Sequence, residues 1–92
     1  FISLAKALPP ALALARPGAV LVALIKPQFE AGPDAVGKGG LVRDPAVHAA
    51  VRARVRAVLE APGWTVLGET ESPIAGGDGN REFLIAARRP DG

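Results

Sequence analysis

The stretch Ala19-Val20-Leu21-Val22-Ala23-Leu24-Ile25-Lys26 sets the architecture. Its apolar run is β-branched in part, too short for a helix and long enough for a strand covered on both faces. On its amino-terminal side, Pro17-Gly18 breaks an Ala- and Leu-rich segment. Ala and Leu favour helix, whereas proline is tolerated only in a first turn. Pro9 and Pro10 therefore place the regular helix at about 9–16, after a looser turn. Before that, Phe1 to Leu4 reads as a short strand. Strand, helix and strand in this order predict a βαβ unit with parallel strands.

On the carboxyl-terminal side, residues 26–44 form a long, glycine-rich connection of the kind that is usually functional or mobile. Asp44-Pro45 opens a second helix, since Asp caps free N–H groups and Pro suits the first helical position. Val47, Val51, Val55, Val58 and Leu59 make one apolar stripe on it, and Pro62-Gly63 ends it. A strand follows at 64–69, then a glycine-rich loop at 72–80, a last strand at 81–87 and a polar tail. The fold class is α/β, in one small domain spanning residues 1–92 without internal repeat.

Composition narrows the chemistry. Cysteine is absent and histidine occurs once, which excludes a disulfide framework or thiolate metal site and disfavours a histidine-based one. Apolar residues make up 49% of the chain, too many for a disordered tail. No apolar run approaches the roughly 20 residues of a membrane span, and the start lacks the pattern of a signal peptide. The net charge of +2 is mild, compatible with a nucleic-acid partner and not diagnostic of one.

Topology brings two charged residues to one edge. Lys26 ends the strand 19–25, and ligands bind beyond the carboxyl ends of strands in open α/β sheets. The strand 64–69 is reached through a helix and should run parallel to 19–25. The last strand follows a loop and should run antiparallel, so Glu82 starts where the others end. If that strand inserts beside 19–25, Lys26 and Glu82 face each other. The plain alternative is a structural ion pair. His48 reads as a solvated first-turn residue, Trp64 as a core aromatic, and Arg52, Arg54 and Arg56 as a solvated helix surface. The loop Gly37-Lys38-Gly39-Gly40 reads as a flexible loop or as a phosphate cradle.

Lys26-Pro27-Gln28-Phe29-Glu30 (KPQFE), Gly37-Lys38-Gly39-Gly40-Leu41-Val42-Arg43-Asp44-Pro45 (GKGGLVRDP), Ser72-Pro73-Ile74 and Gly79-Asn80-Arg81-Glu82-Phe83-Leu84 together resemble the TlyA, or haemolysin A, family. Its members are S-adenosylmethionine-dependent RNA 2′-O-methyltransferases related to the FtsJ group. The resemblance covers essentially the whole chain. It implies the carboxyl-terminal half of a Rossmann-like methyltransferase domain, with parallel strands and an antiparallel last strand. From the family's Lys-Asp-Lys-Glu set it implies catalytic roles for Lys26 and Glu82. The other two members, the glycine-rich cofactor loop and an amino-terminal RNA-binding domain of S4 type would lie upstream of Phe1.

The resemblance further implies ribosomal RNA as partner, RNA contacts by Lys38 and Arg43, no metal, no membrane and a cytoplasmic location. The chain alone is expected to be inactive, and to self-associate through an exposed sheet edge. Two rival readings are a non-catalytic RNA-binding module and a membrane-damaging protein of the haemolysin type.

Overall fold

A computed structural model describes residues 3–32, 36–37, 40–73 and 79–91. The first element is a helix, α1 (Leu4–Leu14), with Ser3 extended before it. It starts well before the expected residue 9 and carries Pro9 and Pro10 inside it. Leu4 therefore belongs to a helix rather than to a first strand; Phe1 and Ile2 lie outside the described residues. Each proline removes one bond to the preceding turn, a cost of about 3 kcal/mol. Leu8 and Leu12, one turn apart, are buried on a single stripe. Burial of such side chains contributes roughly 1.5–3 kcal/mol each, which offsets much of that cost.

Strand β1 (Val20–Ile25) leads into a helical turn, α2 (Pro27–Glu30), that falls within the expected connection. Helix α3 (Pro45–Glu60) begins as expected: Asp44 accepts a hydrogen bond from the Ala46 N–H at 2.9 Å, and Pro45 takes the first position. It ends at Pro62-Gly63, where Gly63 has φ +101° and the Trp64 N–H donates to Leu59 O at 3.2 Å. Only glycine adopts that conformation freely. Strands β2 (Thr65–Glu71) and β3 (Phe83–Arg88) complete the described residues.

The sheet order is β1-β3-β2, with the last strand in the centre. β3 pairs antiparallel with both neighbours, so β1 and β2 point the same way without touching. No parallel ladder, and no βαβ opening, occurs among the described residues. A bulge at Leu67 shifts the β2–β3 register between Val66 and Gly68.

Helices α1 and α3 cover one face of this sheet. Leu8, Leu12, Val51, Val55 and Leu59 meet Ala23, Ile25, Phe83, Ile85 and Ala87 there, with Trp64 at the end of the cluster. On the other face Val20, Val22 and Leu67 remain exposed. β1 thus alternates in burial rather than being covered on both faces as its continuous apolar run suggests, because no described helix packs on its second side.

Candidate active site

The register of β1 and β3 ends with Ile25 opposite Phe83. One further step along each chain reaches Lys26 and Glu82, which line the same cleft. Its volume is about 390 Å³, and Gln28, Phe29, Val36, Gly40 and Asn80 complete the lining. The central position of β3 brings the two charges together, since it makes the final strand the direct neighbour of β1.

Glu82 is buried and Lys26 half-buried. Five ion pairs form among the described residues, and none joins Lys26 to Glu82. The Glu82 carboxylate instead accepts a hydrogen bond from Gln28 Nε2 at 2.9 Å. Gln28 Oε1 has no described partner. The Lys26 ammonium lies 5.6 Å from the centroid of the Phe29 ring, a cation–π approach. Lys26 and Glu82 thus share the cleft, the ammonium over an aromatic ring and the carboxylate on an amide.

The turn α2 produces this arrangement. Pro27 and Glu30, one helical turn apart, are buried, which leaves Gln28 and Phe29 toward the cleft. The Glu30 carboxylate accepts the Leu4 N–H at 2.9 Å, and its backbone carbonyl accepts Arg54 Nη2 at 2.6 Å. These two bonds tie α2 to the start of α1 and to α3. The opening proline was the local sequence signal for such a turn.

Asn80 holds the opposite wall. Its Oδ1 accepts the Val42 N–H at 2.9 Å and its Nδ2 donates to Gly40 O at 2.8 Å. Val42 O in turn accepts from His48 Nε2 at 2.7 Å. His48 is buried and meets the Phe83 ring edge-on, with centroids 5.6 Å apart. The expectation of a solvated histidine is corrected here: position 48 faces the apolar stripe, and its ring spans from Phe83 to a loop carbonyl. Nothing in local spacing distinguished Asn80 or His48, because both partners lie on the 40–42 segment.

Arg43 is exposed on that segment and does not line the cleft. Lys38 lies outside the described residues. The arginines of α3 are engaged rather than free. Arg52 pairs with Glu69 at 3.2 Å and stacks 4.8 Å over Phe83. Arg56 bridges Glu69 and Glu60, whose hydrogen bonds raise its pKa above the ordinary arginine value. Trp64 is buried in the core, as expected. No cluster of metal-ligating side chains occurs among the described residues, and none of their helices is long and apolar enough to cross a membrane.

The model of the FtsJ-like methyltransferase family matches residues 1–89. YqxC of Bacillus subtilis is 51% identical over 90 residues, covering 98% of this chain and 32% of that protein. The 16S/23S rRNA (cytidine-2′-O)-methyltransferase TlyA of Mycobacterium tuberculosis is 41% identical over 88 residues, 96% of this chain and 33% of that one. The chain therefore spans about a third of the length of these curated relatives. A crystal structure of a Lactococcus lactis protein described as a hemolysin superposes with a TM-score of 0.91 at 43% identity, covering 98% of this chain and 43% of that one.

Proposed function

The chain belongs to the FtsJ-like methyltransferase family, and from that membership we propose that it forms the acceptor side of a site methylating a ribose 2′-hydroxyl of ribosomal RNA. The observation that carries this reading is the single cleft shared by Lys26 and Glu82. Lys26 is the group to meet the hydroxyl. Its ammonium orients the acceptor oxygen and stabilises negative charge growing on it. At an effective dielectric of about 20, two unit charges at 4 Å interact by roughly 4 kcal/mol. Glu82, held by Gln28, balances the lysine charge across the cleft without binding its ammonium. Positioning of the two reacting atoms supplies much of the remaining acceleration.

S-adenosylmethionine would supply the methyl group. The described cleft residues do not make a holding set for it: the one cation among them, Lys26, repels a sulfonium, and the one carboxylate, Glu82, is already bonded to Gln28. Its binding is assigned to the rest of a full-length protein. Lys38 and Arg43 are assigned to contacts with RNA phosphates, in a cytoplasmic enzyme.

The test is labelled methyl transfer onto unmodified ribosomal RNA by a full-length protein carrying this chain, beside its Lys26→Ala variant. Transfer by the parent and loss of at least a hundredfold in the variant is the expected result. Equal transfer by both would remove Lys26 from the chemistry. No transfer by a folded parent that binds the methyl donor would favour an RNA-binding module.

A further inference from the structure

His48 is a buried titratable side chain that the proposed chemistry leaves unused. Its Nε2 lies 2.7 Å from Val42 O. A carbonyl only accepts, so Nε2 carries the proton and donates. The Val42 N–H is held as well, by Asn80 Oδ1 at 2.9 Å. Val42, itself buried, is thereby fixed on both sides of its backbone. His48 is braced in turn. Its backbone N–H donates to Asp44 O at 3.2 Å, and its ring packs against Phe83 with centroids 5.6 Å apart and planes at 61°.

This grip bears on Arg43. The Val42 carbonyl and the Arg43 N–H belong to one planar peptide unit. A bond that fixes the carbonyl therefore fixes the plane from which Arg43 departs. Arg43 is exposed, and the five ion pairs among the described residues engage Arg52, Arg56, Arg81 and Arg88 but not Arg43. Phe83 directly follows Glu82, so a chain of contacts runs from the cleft end of β3 through His48 and the Val42 carbonyl to Arg43.

We propose that His48 is a positioning residue for RNA: through the Val42 carbonyl it sets the peptide that presents Arg43 to an RNA phosphate. The inference rests on the RNA methyltransferase reading and deepens it. A mobile segment that orders only on binding loses its backbone freedom at that moment, at the expense of affinity. A segment fixed beforehand has already lost it, so the same phosphate contact binds more tightly. His48 touches neither RNA nor the reacting atoms. Its effect falls on RNA affinity and not on the methyl-transfer step.

The experiment uses a full-length protein carrying this chain and unmodified ribosomal RNA. Arg43→Ala should weaken binding about fivefold and lower the slope of log affinity against log salt by about one. His48→Phe keeps a ring against Phe83 and removes the donor. It should weaken binding and lower the slope in the same way, with turnover at saturating RNA within about twofold of the parent's. Arg43→Ala added to His48→Phe should cost little further affinity, because the contact is already lost. His48→Gln, whose amide is long enough to reach Val42 O, should restore most of the binding. Should His48→Phe fail to fold, His48→Asn, with a shorter amide, takes its place under the same expectation. A His48→Phe protein that is less stable but keeps the parent's affinity and salt slope would overturn the proposal, since His48 would then serve folding alone. Independent, additive losses from His48→Phe and Arg43→Ala would overturn it too, as would parental affinity in Arg43→Ala. Failure of the methyltransferase reading is seen separately, as absence of methyl transfer by the parent.

Discussion

The amide nitrogen of Gln28 lies 2.9 Å from the Glu82 carboxylate across 54 residues of sequence, so the acid in the cleft is held by an amide rather than by Lys26. This bond crosses from the turn after β1 to the residue before β3. It locks the ends of two paired strands together at the site.

Gln28→Met keeps the volume and removes the donor. Glu82 then becomes a buried carboxylate without that partner, at a cost of about 1–3 kcal/mol. A lowered urea midpoint with an unchanged slope is the expected outcome. Unaltered stability would mean that solvent replaces the amide without loss.

Asn80→Ala leaves the Val42 N–H and Gly40 carbonyl without their side-chain partner. The expected loss is about 1–3 kcal/mol for each group that stays buried. Asn80→Asp retains an acceptor for Val42 but cannot donate to Gly40, so its effect should fall between parent and alanine. Amide exchange at Val42 reads this directly: it should accelerate in Asn80→Ala and much less in Asn80→Asp.

The Glu71 carboxyl titrates below its ordinary range, mainly because Arg81 hydrogen-bonds the ionised form. Its contribution to folding is present above the ordinary carboxylate range and fades as pH falls through the lowered value. A nuclear magnetic resonance titration should find Glu71 low in the parent and shifted upward in Arg81→Ala. Because both side chains are exposed, the change in overall stability should be small.

Leu59 is fully buried, in the core where α3 meets the sheet. Leu59→Ala should cost about 2–5 kcal/mol, measurable by denaturant titration. Gly63→Ala is a contrasting case. Its added Cβ would meet no atom within 4 Å, so its cost arises from backbone conformation alone, about 1–2 kcal/mol.

Val20 and Val22 are exposed on β1, which is an edge of the described sheet. Unpaired backbone groups beside apolar side chains favour strand pairing between copies. Sedimentation of the 92-residue chain should detect association that grows with concentration and is reduced by Val22→Lys. A monomer at all concentrations in the parent would count against the edge as a contact.

Much of this protein is written locally. Asp44-Pro45 and Pro62-Gly63 bracket α3, since a cap, a first-turn proline and a left-handed glycine act within a few residues. The valine stripe identifies the core face of that helix, and β1 is announced by its apolar run. The placement of Lys26 and Glu82 at strand ends was legible as well, and the motifs around them carried the family resemblance. What local sequence left open was decided by contacts between distant residues. Strand order put β3 between β1 and β2, which turned two separate strand ends into one cleft. Burial of Leu8 and Leu12 carried α1 through Pro9 and Pro10, against local propensity. His48, Asn80 and Gln28 gained their partners only when the loop at 40–42 and the start of β3 were folded together. A hydrogen bond between groups dozens of residues apart leaves no periodicity in the chain, because its strength depends on burial and alignment that exist only in the packed structure.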